Sequence, residues 1–201
     1  KKAMWQTFAL AICVGFYLVF IGGWPIVCIG MTSIVAGILY TGGPYPIGYH
    51  GWGDIFVFIF FGLIAVPGTY YLQTETVTPL SFWMGAVMGL LSTAILVVNN
   101  LRDAHTDVLS GKKTLAVRFG ETFSKIQYAL FIVIPFSLPI YLSWKLENEL
   151  SLLLTLFSLP IAMHLVFQIF TTAGMELNFV LTRTARFLFI FTVLFSVGIV
   201  L

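Results

Sequence analysis

Leu80 to Gly120 reads LSFWMGAVMGLLSTAILVVNNLRDAHTDVLSGKKTLAVRFG, and its two parts are physical opposites. Leu80 to Val98 carries no charge and is long enough to cross a hydrocarbon core as one helix. Asn99 to Gly120 holds Arg102, Lys112, Lys113 and Arg118, four of the ten Lys and Arg, with Asp103 and Asp107, two of the eight acids. If the helix continues through Asn99, then Asn99, Asp103 and Asp107 stand at i, i+4 and i+8 and share one face, with neighbours roughly 6 Å apart. Three oxygen-bearing side chains then meet the membrane surface with cations close behind.

Hard oxygen donors at this spacing suit Mg²⁺, which keeps several waters and takes one or two carboxylates together with substrate phosphate oxygens. Lys112, Lys113 and Arg118, placed after a Ser110-Gly111 turn, can donate to the same phosphates. The alternative is a solvated loop whose basic residues only set topology. Topology, however, needs cations and has no use for an in-phase Asn/Asp/Asp face. A nucleotide-binding phosphate loop is excluded, because Gly111-Lys112-Lys113-Thr114 lacks the earlier glycine and the Gly-Lys-Thr order.

The rest of the chain agrees with a membrane solvent. Of 201 residues 59% are hydrophobic and 9% charged, where a soluble domain has about 25% charged residues. Mean hydropathy is +1.00. The net charge of +2 reflects loop bias and leaves no footprint for nucleic acid. Cys13 and Cys28 lie in separate apolar runs without Cys-x-x-Cys spacing and are expected as buried thiols, with neither a disulfide nor a metal role.

Apolar segments run from Met4 to Ile21, Pro25 to Tyr40, Asp54 to Leu72, Leu80 to Val98, Gln127 to Trp144, Leu150 to Phe170 and Ala185 to Leu201. Each is near the roughly 17 to 25 residues of a spanning helix, which predicts an all-α, polytopic bundle of about seven helices. Turn residues separate them: Gly22-Gly23-Trp24-Pro25, the Gly/Pro/Tyr-rich Thr41 to Gly53, Thr78-Pro79 and the charged Lys145 to Glu149. Pro25 and Pro79 fall at helix starts, whereas Pro67, Pro135, Pro139 and Pro160 are internal and predict kinks. Threading the segments alternately puts Lys1, Lys2, Arg102, Lys112, Lys113, Arg118, Lys125, Arg183 and Arg186 at one end and only Lys145 at the other. By the positive-inside rule the basic end is cytoplasmic, with the Asp-bearing loop facing the cytoplasm of a cell (inner) membrane.

Two further connectors come out at that end. Tyr40 to Gly51 is stiffened by prolines, and its glycines allow close backbone approach, so Tyr40, Tyr45, Tyr49 and His50 can line an aromatic pocket. An interfacial aromatic belt is the competing reading. Asp54 suits a helix N-terminus without further function. Arg183 and Arg186, at the start of the last segment, serve either phosphate contacts or topology, the second being favoured. His105 lies roughly 200° around the helix from Asp103 and faces away from the chelating side. His164, alone in an apolar run with Gln168 one turn on, is expected as a hydrogen-bonded core histidine rather than a proton relay.

Asn99-Asn100-Leu101-Arg102-Asp103, followed by Thr106-Asp107, Gly111-Lys112 and Thr114 to Gly120, resembles the second Asp-rich motif of the UbiA-type membrane prenyltransferases. The chain is most similar there to the 1,4-dihydroxy-2-naphthoate prenyltransferases of menaquinone synthesis. Tyr40-Thr41-Gly42-Gly43-Pro44, Pro46, Gly48-Tyr49, Gly51, Gly53-Asp54 and Thr69 to Gln73 resemble the same subfamily.

That resemblance implies a nine-helix bundle with a lateral opening to lipid, in which two Asp-rich motifs bind Mg²⁺ and the diphosphate of a polyprenyl donor. Ionisation of the allylic diphosphate leaves a carbocation that an aromatic ring attacks. With 1,4-dihydroxy-2-naphthoate as acceptor, alkylation with loss of the carboxylate gives a demethylmenaquinone. On this chain the resemblance assigns Asn99, Asp103 and Asp107 to metal, with Asp103 and Asp107 catalytic. Asn100, Arg102, Lys112, Lys113 and Arg118 are assigned to diphosphate. The first Asp-rich motif, of Asn-Asp-x-x-Asp type, is missing from these 201 residues. The chain is therefore read as one N-terminally truncated prenyltransferase domain over residues 1–201, lacking the first two family helices and inactive alone. A different acceptor (4-hydroxybenzoate, homogentisate or a tetrapyrrole) is the alternative within the same chemistry. A membrane transporter is the alternative from another class, disfavoured because carriers place polar sites near the bilayer midplane.

Overall fold

A computed structural model describes residues 2–43, 45–145 and 150–201. Lys1, Pro44 and the Leu146 to Glu149 part of the charged connector lie outside them. Among the described residues six helices are long and apolar enough to cross a membrane. We label them α1 (Lys2–Thr41), α2 (Gly53–Thr74), α3 (Pro79–Leu109), α4 (Leu115–Lys145), α5 (Leu150–Thr171) and α6 (Gly174–Val200).

The seven expected segments become six helices because the first separator is one residue wide. Helix α1 is interrupted only at Gly23, whose φ of 64° and ψ of −151° a side-chain-bearing residue rarely adopts. On a straight helix Ala11 and Gly37 would be about 39 Å apart. Here both line one apolar groove with Ile64, Gly68 and Leu72, so the chain turns back at Gly23 and α1 has two arms. The Tyr71 hydroxyl donates to the Gly22 carbonyl at 3.2 Å, which pins that turn to the far end of α2.

Three of the four internal prolines fall at interruptions, as expected, whereas Pro139 sits in the first turn of a regular segment, Ser137–Lys145. Pro67 cannot donate to the carbonyl one turn back, and the turns ahead of it widen into a π-helix over Phe58–Ile64. Pro135 lies in a 3₁₀ turn, Ile134–Phe136, within α4. Pro160 starts the regular part of α5 after a 3₁₀ stretch, Leu150–Ser158. At Pro79 the Thr78 hydroxyl caps α3 by accepting from the Ser81 amide.

Helix α3 is the hub. Leu91, Ala94 and Val98 are fully buried, and around them pack Tyr128 and Ile132 of α4, Leu165 of α5, and Phe187 and Phe191 of α6. In lipid, association of helices rests on close packing more than on water exclusion. Gly62 of the π-helix meets Gly85 and Gly89 of α3 so closely that a Cβ on Gly62 would lie 2.5 Å from the Gly85 carbonyl oxygen. That contact brings α2 against α3 and places Asp54 beside the end of α3.

Three sequence expectations are corrected. Cys13 and Cys28 are exposed rather than buried. His164 is exposed on α5 rather than a core histidine. Arg183 and Arg186 lie beyond the first turn of a helix that already runs from Leu177, and both are exposed.

Candidate functional site

The Asn99 to Gly120 stretch divides as its residues suggest. Helix α3 carries through Asn99 to Leu109, Ser110 ends it, Gly111 turns at φ 74°, and Thr114 caps α4 by accepting from the Val117 amide. The connectors at 45–52 and 110–114 and the α5–α6 junction meet at this end. The far end holds the Gly23 turn, the start of α3 and the Ser151–Gly198 contact between α5 and α6.

Arg102 organises the first half of the site. Its Nε donates to Asp103 Oδ1 and its Nη2 to Asp103 Oδ2, both at 2.7 Å, a two-point fork on one carboxylate. Nη2 also donates to Asn99 Oδ1 at 2.8 Å, and Nη1 to Asn178 Oδ1 of α6 at 2.6 Å. Four oxygens on two helices thus converge on one guanidinium.

Lys112 organises the second half. Its Nζ donates to Asp107 Oδ1 at 2.8 Å and lies 5.3 Å from the centre of the Tyr49 ring. The contact with the buried Asp107 raises the Lys112 pKa above the ordinary lysine value, against the opposing effect of its own partial burial. The backbone repeats the link, with the Lys113 amide donating to the Tyr49 carbonyl at 2.7 Å. Gly51, at φ 82°, makes this approach possible, since a Cβ there would sit 2.8 Å from the Lys113 carbonyl oxygen.

Arg118 donates to the carbonyls of Lys113 and His50, His50 Nδ1 pairs with the Pro46 carbonyl, and the Tyr45 ring stacks on His50 at 3.5 Å. The tyrosine-rich connector is therefore strapped to the α3–α4 turn. Tyr40, at its start, lines an apolar cavity of about 580 Å³ with Ser33, Ala36, Gly37, Phe56 and Phe60.

Asp54 departs from its sequence reading. It is buried, not merely placed at a helix N-terminus, and accepts from Gln127 Nε2 at 2.8 Å and Asn100 Nδ2 at 3.4 Å. Asn100 thus turns toward α2 and α4, away from the Arg102 cluster. The Lys113 side chain is exposed and His105 points outward. The sequence reading missed Asn178 and Gln127. Each is a single amide in no motif, and only an amide inside or beside an apolar run signalled them.

The fit to a divalent cation rests on the donor set. Among the described residues no three His, Cys, Asp or Glu side chains form a metal-binding group. What converges is one carboxylate with two carboxamide oxygens on Arg102, and a second carboxylate on Lys112. These are hard oxygens with two negative charges, the chemistry a magnesium–diphosphate unit needs, and cations of the chain occupy them.

The UbiA prenyltransferase family matches residues 1–179. The chain belongs to that family. Among its relatives is a 1,4-dihydroxy-2-naphthoate octaprenyltransferase of Haemophilus influenzae, 36% identical over 176 residues, which are 86% of this chain and 56% of the relative. The protein of that name from Mycobacterium leprae is 46% identical over 112 residues, 54% of this chain and 37% of the relative. Human UbiA prenyltransferase domain-containing protein 1 is 31% identical over 163 residues, 81% of this chain and 46% of the relative. The chain thus spans about half the length of the curated relatives it matches.

Proposed function

We propose that this chain is part of a membrane enzyme that moves a polyprenyl group from its diphosphate to 1,4-dihydroxy-2-naphthoate, with loss of the carboxylate, giving a demethylmenaquinone. The observation that carries this is the junction at the end of α3, where Asn99, Asp103 and Asp107 gather with Arg102 and Lys112. The similarity to naphthoate octaprenyltransferases supports that choice of acceptor.

In this reading Asn99, Asp103 and Asp107 would hold Mg²⁺. When bound, the ion supplies Lewis-acid stabilisation of the departing diphosphate. Arg102 and Lys112 would move from carboxylate to phosphate oxygens, adding positive charge where negative charge develops, with Lys113 and Arg118 on the adjoining turn and Asn100 held back on Asp54. Helix α3 brings these groups to the membrane surface while its apolar run stays in lipid. The isoprenoid therefore remains in hydrocarbon while its diphosphate reaches the polar end. The strapped connector holds Tyr40, Tyr45, Tyr49 and His50 around the acceptor ring, and the cavity walls exclude water from the allylic cation. The site faces the cytoplasm of the cell membrane, on the side rich in Lys and Arg.

The test is acceptor competition in membranes expressing the full-length protein that contains this chain. With a radiolabelled polyprenyl diphosphate, label should pass to naphthoate in preference to 4-hydroxybenzoate or homogentisate. Preferential labelling of either competitor would overturn the acceptor assignment.

A further inference from the structure

Asn178 belongs to no motif, yet its carbonyl oxygen shares one guanidinium with Asn99 and Asp103. Its position does not depend on that contact. Leu177 and Val180 on either side are almost fully buried in the core, so the first turn of α6 is fixed by packing and Asn178 is presented to the end of α3 whatever Arg102 does. Its amide turns its acceptor oxygen, not its NH₂, toward the positive charge. The four oxygens around Arg102 are thus a preassembled set of hard donors, filled by a cation that belongs to the chain.

We propose that Asn178 is a further oxygen ligand for the divalent cation, and that Arg102 keeps this set of oxygens assembled by occupying it until the cation arrives. The inference rests on the reading of the site as a cation–diphosphate site. Two consequences of opposite sign follow. Arg102 competes with the metal, so its removal tightens metal binding. Asn178 serves the metal directly, so its loss weakens binding even when Arg102 is gone. An asparagine that merely tied α6 to α3 through Arg102 would have no effect once Arg102 was removed.

The experiment is Mn²⁺ titration of the purified protein in detergent without pyrophosphate, so that only the competition between Arg102 and the cation is read, following the free-ion signal by electron paramagnetic resonance. Variants are R102Q, N178A, their combination, N178D and D103N. R102Q should tighten Mn²⁺ binding about tenfold, the scale of one displaced competing charge. N178A should weaken it several-fold alone and again in the R102Q background. If R102Q does not fold, N178D decides, because it leaves Arg102 in place: an added carboxylate should tighten Mn²⁺ binding. Unchanged affinity for N178A in the R102Q background, or unchanged or weaker affinity for N178D, would overturn the role of Asn178. The underlying site reading fails separately, if D103N binds Mn²⁺ as well as the unsubstituted protein.

Discussion

Lys112→Met removes one ammonium and keeps most of the apolar stem, so it isolates the charge. The ammonium donates to Asp107 Oδ1 at 2.8 Å and lies over the Tyr49 ring. A charge-assisted hydrogen bond is worth about 1.5–3 kcal/mol when protected. One third of the Lys112 side chain is exposed, which cuts that to about 1–2 kcal/mol through solvent screening. The contact with Tyr49 adds roughly 0.5–1 kcal/mol at such a surface. The variant should therefore lose about 2 kcal/mol, read as a fall of several degrees in the thermal unfolding midpoint in detergent. The pH dependence has a definite sign. The folded-state pKa of Lys112 is raised, so its stabilisation is fully present below the unfolded lysine value of about 10.4 and is lost only as pH rises through the higher folded value. The gap between wild type and variant should thus be constant from about pH 6 to 9 and close only in strong base. Equal midpoints at neutral pH, or a gap that shrinks within that window, would refute the reasoning.

Other substitutions probe other links. Gly62→Ala puts a Cβ against the Gly85 carbonyl and the Gly89 backbone and should cost about 1–3 kcal/mol, seen as a lower unfolding midpoint. Asp54→Ala and Gln127→Ala should be non-additive, with a coupling of about 1 kcal/mol in a double-mutant cycle on thermal stability, because each leaves the other's polar group unmatched. Ala36→Phe fills the cavity at Tyr40 and should lower kcat/KM for prenyl transfer about 100-fold, as misplaced reactants do, while the unfolding midpoint stays within a degree or so of wild type.

The hydrophobic runs were legible because a bilayer demands long uncharged helices and leaves little freedom in their number or length. Gly23 was not, since a two-glycine separator reads as a loop until backbone angles show that one residue suffices. Four-residue spacing revealed the Asn99/Asp103/Asp107 face, because helical phase is a local property. Asn178 and Gln127 reach their partners across 76 and 73 residues, and nothing local encodes that meeting. Asp54 was misjudged because the helix dipole alone accounts for an acid at that position, which conceals its two amide partners. Cys13, Cys28 and His164 show the converse error. Apolar neighbours imply an interior position in water, but in lipid they are equally compatible with the outer face.

The claim on which the rest depends is that the oxygens at the end of α3 drive diphosphate off an isoprenoid. Its most direct measurement is release of pyrophosphate from a radiolabelled polyprenyl diphosphate in membranes carrying the wild type, Asp103→Ala or Asp107→Ala form of the full-length protein at matched expression. Release should require added Mg²⁺ and fall to background in both variants. Release at the wild-type rate from either variant, or undiminished release after chelation, would contradict it.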